Sequence, residues 1–235
     1  MASKSKRAQM APQRNYAKTF MYWAITVFII KLIIIFSIPA GNIDIFTKPY
    51  IVDGVWLGAD GENYITGFSA LLRDGIFSKE SILGFWPAGY PLIILFLSIL
   101  GKSWALTTLS IAQSLIFSFA AYLFASQLAR TRINKYAYLV FILIILNPTL
   151  SLSSIAVGYE SLTASGFLIA AGLIIKDFIE KDNKKFIKYL VINSVIFGLL
   201  TFMQPRLILS GILINLVWVL IRKGVKVGLL LIIAT

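Results

Sequence analysis

The sequence predicts an all-α protein: a polytopic transmembrane helical bundle with about six or seven spans. Three observations carry that reading. Of the 235 residues, 58% are hydrophobic and 14% charged, whereas soluble domains sit near about 45–50% apolar and about 25% charged. The excess is gathered into runs almost free of charge, several of them near the roughly 20 residues that cross a bilayer. The basic residues between those runs fall into clusters with a consistent sidedness.

The opening MASKSKRAQMAPQRNYAK holds Lys4, Lys6, Arg7, Arg14 and Lys18 and no acid. It reads as a disordered basic arm, residues 1–18, that touches anionic headgroups. The run 19–39 then reads as a retained first span and not as a cleaved signal peptide. Lys31 interrupts it and must snorkel or face protein. Further basic clusters are Arg130, Arg132 and Lys135; Lys176, Lys181, Lys184, Lys185 and Lys188; and Arg222, Lys223 and Lys226. With the amino terminus in the cytoplasm and residues 40–103 as one long outer loop, 16 of the 22 Lys and Arg residues lie inside. The outward connections then hold Asp44, Asp53, Asp60, Glu62, Asp74, Glu80 and Glu160.

That topology depends on residues 88–101, AGYPLIILFLSILG. A full span there would send every later basic loop outside. Its 14 residues fit a re-entrant or interfacial helix better, since a crossing needs about 20. The expected spans are therefore 19–39, 104–128, 135–154, 158–176, 188–205 and 207–222, with a seventh from about 226. Thr235 falls part-way into that last run, so the chain reads as the amino-terminal part of a larger transmembrane domain. No internal repeat is visible.

Composition excludes several chemistries. There is no cysteine and no histidine, so thiolate nucleophiles, disulfides, imidazole bases and His-ligated metals are absent. Acid–base or metal chemistry must come from ten Asp and Glu residues. The net charge of +12 belongs to the positive-inside pattern and the bilayer surface, not to a nucleic-acid partner.

The first outer loop is where such chemistry would sit. After Asp60, the apolar positions Tyr64, Ile65, Phe68, Leu71 and Leu72 recur at three- and four-residue spacing. They predict an amphipathic juxtamembrane helix of about three turns, stopped by Gly75. Asp60 stands where a side chain caps the helix, or where a surface carboxylate binds and deprotonates an acceptor or holds a cation. Glu62 is a solvated first-turn acid or a second catalytic one, and Asp44 and Asp53 are ordinary loop acids. Trp86, Pro87, Tyr90 and Pro91 form an interfacial aromatic and proline cluster that also suits a sugar or prenyl-chain groove. Lys79 and Lys102 are outer-side cations within reach of a lipid phosphate. Glu160 at the outer end of the fourth span and Arg206 in MQPRLIL add a carboxylate and a guanidinium on the same side. The guanidinium fork suits a phosphate, with an Arg206–Glu160 ion pair as the competing account.

The order GADGENYITGFSALLRDGIFS, WPAGYPLIILFLSILGKSWALTTLSIAQSL, LNPTLSLSSIAVGYESLTASGFLIAAGLII and FGLLTFMQPRLIL resembles the GT-C type of multi-spanning glycosyltransferases. The nearest branches are the family 39 protein O-mannosyltransferases, the aminoarabinose transferases and the lipopolysaccharide-transferase-like domains. The resemblance implies transfer of a sugar from a polyprenyl-phosphate donor to a glycan, lipid or protein acceptor outside the cytoplasm, in a bacterial plasma membrane. By it, Asp60 is the catalytic loop aspartate, Glu160 the acid of the second outer loop and Arg206 a donor contact. Tyr64, Trp86, Tyr90 and Lys102 then line the substrate. Many family 39 members carry Asp-Glu in the first loop, whereas Gly61 follows Asp60 here, so the second acid is Glu62 or absent. A divalent metal, held by Asp60 and Glu160, remains an open option. The rival readings are a lipid-linked sugar transporter or flippase, which would show broken helices with midplane charges, and a non-catalytic membrane protein.

Overall fold

The computed structural model describes residues 13–37, 51–52, 55–57, 60–75, 88–101 and 104–223. It is helical throughout except for three short strands. The helices are α1 (Gln13–Ser37), α2 (Gly61–Asp74), α3 (Gly89–Leu97), α4 (Ala105–Leu128), α5 (Ala137–Leu146), α6 (Pro148–Leu152), α7 (Glu160–Glu180), α8 (Asn183–Met203) and α9 (Leu207–Lys223). The strands are β1 (Ile51–Val52), β2 (Val55–Leu57) and β3 (Ala156–Val157).

Four helices are long and apolar enough to cross a membrane: Tyr16–Ser37 of α1, α4, α7 and α8. A fifth span is present if α5 and α6, which meet at a 60° bend, are taken as one. The predicted sixth span is the 17-residue α9. The predicted seventh lies outside the described residues. The protein is thus an integral membrane protein by the length and composition of its helices. Its lipid-facing side chains agree: Leu143 and Leu199 are each 61% exposed and Leu209 67%, a surface suited to hydrocarbon and not to water.

Local chemistry sets the boundaries. α1 starts at Gln13, so residues 13–18 belong to the helix and not to the arm expected over 1–18. α7 runs to Glu180, beyond the predicted end at 176, because helical hydrogen bonding does not stop where hydropathy does. Lys181 then takes a left-handed conformation, φ 55°, and the Asp182 carboxylate accepts from the N–H groups of Lys184 and Lys185 (2.9 and 3.3 Å) to start α8. The α5–α6 break falls at Asn147-Pro148. Proline excludes the helical region for the residue before it, Asn147 is extended with ψ 114°, and its side chain accepts from the Leu150 N–H (3.0 Å).

The 88–101 segment is a short apolar helix ending in a 3-10 turn, Gly89–Leu100, as its length predicts. α2 also follows its periodicity, and Gly75 closes it at φ 81°, where glycine has no steric penalty. The small sheet is an addition to the all-α expectation. β1 pairs antiparallel with β2, Val52 opposite Val55. β2 pairs parallel with β3, with Trp56 opposite Ala156 and Leu57 opposite Val157.

α4 is the central post, packed by α1, α3, α5 and α7. Ser110, Gln113, Ser114 and Ser118 form a buried polar stripe at helical spacing along it. This stripe satisfies carbonyls of the 3-10 turn Ser153–Ile155 and of Ala156 at the start of β3. The Ser110 hydroxyl donates to the Ile155 carbonyl (3.0 Å), Gln113 Nε2 to the Ala156 carbonyl (2.8 Å) and the Ser114 hydroxyl to the Ser154 carbonyl (3.1 Å). Irregular backbone at membrane depth survives only with such partners. Lys31 faces protein: its ammonium donates to Ser154 Oγ (2.6 Å) and stands 4.0 Å from the Phe117 ring centroid.

A separate cluster ties α7, α8 and α9 together at the far end. The fully buried Asp177 accepts from the Trp218 indole (3.0 Å) and pairs with Arg222 (3.3 Å). Glu180 pairs with Lys185 (3.1 Å) and accepts from the Tyr189 hydroxyl (3.0 Å).

Candidate functional site

The opposite end of the bundle holds the sequence-predicted acids. Asp60 follows Leu57 by three residues, and Glu160 follows Val157 by three. Because Leu57 and Val157 are partners in the parallel β2–β3 pair, the two carboxylates leave the same end of the pair in matching positions. Each then begins a helix, α2 and α7, whose amino-terminal dipole favours a negative charge. Two negative charges at one end of the pair disfavour one another.

Asp60 stands at the cap position of α2, yet its side chain makes no capping hydrogen bond. Its main-chain carbonyl accepts the Tyr64 N–H (3.2 Å). The capping account of this carboxylate therefore fails, and the group is left to other work. Glu160 folds back toward β3: its carboxylate lies where a Cβ on residue 158 would stand. Gly158 is the residue that leaves room for it.

Beneath the acids is a tyrosine floor. The rings of Tyr64 and Tyr90 are 4.6 Å apart and tilted, and Tyr159 meets Tyr64 edge-on at 6.3 Å. The Tyr90 hydroxyl donates to Gln113 Oε1 (2.7 Å) and accepts the Gly158 N–H (2.9 Å). Burial pushes the Tyr90 phenol up from its ordinary value, so it stays a neutral donor and acceptor. Tyr64 and Tyr90 are both fully buried. The two rings, expected beside the substrate, pack against one another with no exposed face.

Arg206 is exposed. Gln204, oriented with its amide oxygen toward the guanidinium, accepts from Arg206 Nε (3.2 Å) and Nη2 (2.8 Å) and from the Tyr159 hydroxyl (3.3 Å). The guanidinium is thereby joined through Gln204 and Tyr159 to the tyrosine floor. Among the described residues no ion pair links Arg206 to Glu160, so the competing structural-pair account does not hold.

Thus Asp60, Glu160, Tyr64, Tyr90 and Arg206, scattered over 147 positions of sequence, gather at one end. Of Glu62 only the backbone, within α2, is described; Trp86, Lys79 and Lys102 lie outside the described residues. Residues missed in the sequence are Gln113, Tyr159 and Gln204. The first had a signal, since Ser110, Gln113, Ser114 and Ser118 repeat every three or four positions in an otherwise apolar run. No three acids gather as a metal cluster among the described residues. The Asp60–Glu160 pair still suits Mg²⁺, which often binds one or two carboxylates and completes its shell with water and phosphate oxygens.

A lateral apolar groove of about 450 Å³ starts beside Gly89 and Gln113 and runs between α3, α4 and α8, past Leu92, Phe96, Ile116 and Leu199. Asp60, Glu160 and Arg206 do not line this groove, which meets the site only at Gln113. A scan against protein-family models finds no match to this chain, and searches of curated proteins and of solved structures find none either.

Proposed function

We propose that the chain is a GT-C-like glycosyltransferase of six to seven spans, moving a sugar from a polyprenyl phosphate to an acceptor on the non-cytoplasmic face. The observation that carries this reading is the pair of carboxylates, without an ion-pair partner among the described residues, at matching ends of β2 and β3. A base needs a carboxylate with no structural duty, and Asp60 makes no capping bond. Asp60 takes the proton of an acceptor hydroxyl as its oxygen attacks the anomeric carbon. The bond from that carbon to the phosphate oxygen breaks, and prenyl phosphate leaves with the bonding pair. Arg206 meets the departing phosphate, and the groove between α3, α4 and α8 takes the prenyl chain. Glu160 orients the acceptor. Asp60 and Glu160 would hold a divalent cation where the reaction uses one, and it would supply positive charge for the leaving phosphate.

The test is sugar transfer from radiolabelled polyprenyl-phosphate donors in membranes carrying the complete reading frame, beside Asp60→Asn at equal abundance. Loss of about 100-fold or more in rate is expected, the size of a lost general base. Equal transfer in both removes Asp60 from the chemistry.

A second reading, a transporter or flippase for a lipid-linked sugar, draws on the 60° break between α5 and α6 and on the buried Lys31 bonded to Ser154 just beyond it. Broken spans beside a buried charge are the transporter pattern. Intact donor arriving in the opposite leaflet with no sugar transferred would favour it.

A further inference from the structure

The deepest polar contact of the candidate site belongs to no residue that would touch a substrate. Tyr90 on α3 and Gln113 on α4 are both fully buried. They make three hydrogen bonds, one to each other and two to the same stretch of main chain. Tyr90 donates to Gln113 (2.7 Å) and accepts from the Gly158 N–H (2.9 Å), while Gln113 donates to the Ala156 carbonyl (2.8 Å). Ala156 is also the residue that β2 pairs with through Trp56. The unit thus grips β3 from one side while β2 grips it from the other.

We propose that Tyr90 and Gln113 act together as the positioning unit of the carboxylate pair, holding Ala156–Gly158 in place so that Glu160 and, through β2, Asp60 keep their relative placement. This rests on the acids being the working groups of the proposed function, and it assigns the pair no contact with substrate. Three features argue for a unit and not two independent packing contacts. Gln113 uses its amide oxygen and amide nitrogen on two different elements, so neither bond can be kept by an apolar substitute. Tyr90 reaches two elements through a single oxygen, so removing that atom breaks both bonds at once. The segment they hold is followed two residues later by Glu160, whose carboxylate is folded over Gly158 itself. A shift of the Gly158 backbone therefore moves the space the carboxylate fills.

The test does not depend on knowing the reaction. The full chain in nanodiscs is treated with a water-soluble carbodiimide across a range of pH, and modification of Glu160 is read by mass spectrometry against exposed Asp74 as an internal reference. Tyr90→Phe and Gln113→Met should each shift the Glu160 profile, changing the Glu160 to Asp74 ratio at neutral pH by threefold or more. The double variant should change it no further than the larger single change, because both substitutions release the same segment. Ratios that stay at the wild-type value, or single effects that multiply in the double variant, overturn the proposal. Thermal unfolding in the same nanodiscs identifies variants that fold; if Tyr90→Phe does not, Gln113→Met alone decides between a shifted and an unshifted profile. Where sugar transfer is measurable, both variants should lower kcat with little change in KM. Absence of any transfer in the wild type counts against the proposed function only, since the labelling result stands by itself.

Discussion

The two ends of the bundle use acids in opposite ways. At the Asp177 end each acid has a partner: Asp177 has Arg222 and the Trp218 indole, Glu180 has Lys185 and the Tyr189 hydroxyl, and Asp182 caps α8. At the Asp60 end two acids begin neighbouring helices, Asp60 without a capping bond, and among the described residues neither has an ion-pair partner. The nearby arginine is given to Gln204 instead. Neutralised acids fasten helices. Acids left to repel are held in place by their surroundings, the arrangement by which functional sites depart from the rest of a fold.

Breaking the fastened end should cost most. Arg222→Met leaves a fully buried Asp177 without its cation, and a loss of about 3 kcal/mol is expected in reversible unfolding in detergent. Adding Asp177→Leu should recover most of it, since removing both charges removes the desolvation penalty as well. A double variant as unstable as the single would mean that the pair is not what holds α7 to α9.

Next in size is a packing change at the open end. A Cβ on residue 89 would stand 2.6 Å from the Phe202 carbonyl oxygen and 2.7 Å from its carbon, and backbone atoms cannot turn aside. Gly89→Ala should therefore push α3 off α8 and cost about 2 kcal/mol, in the range for overpacking. An unchanged unfolding curve would place α3 farther from α8.

The comparison is sharpest in the charge itself. Glu160→Gln relieves repulsion from Asp60 and gives up a favourable helix-end charge, two terms of similar size, so stability should stay within about 1 kcal/mol of wild type. A loss as large as that of Arg222→Met would make Glu160 a structural acid. Smallest is Asp74→Asn. Arg73 beside Asp74 holds its carboxyl below the ordinary carboxylate range. Its contribution is accordingly present at neutral pH and disappears as pH falls through that range. Because Asp74 is exposed to solvent, the expected Tm equals the wild-type value at neutral pH.

Much of the open end was legible because its signals are local. Tyr64, Phe68 and Leu71 recur at helical spacing and Gly75 stops the run, so α2 follows from the sequence; the length of 88–101 likewise marks α3 as too short to cross. Lys31 announced itself as a charge in an apolar run, although only packing shows that Ser154 and Phe117 receive it. β3 has two residues and no periodicity, and it exists because β2 and the α4 polar stripe claim its backbone from both sides. Asp177 was missed for a related reason. The apolar run ends at 176, one residue earlier, and hydropathy cannot tell a loop acid from an acid that continues the helix toward Trp218 and Arg222.

The parallel pairing of Leu57 with Val157 also sets an order of events during synthesis. The partners are one hundred residues apart in the chain, and α2 through α6 are made between them. A nascent chain that has delivered only β1 and β2 has an isolated two-stranded hairpin, which is marginal by itself. Asp60 therefore waits, unplaced, while the intervening helices are inserted. Its final position is fixed when the ribosome has released β3 and the beginning of α7.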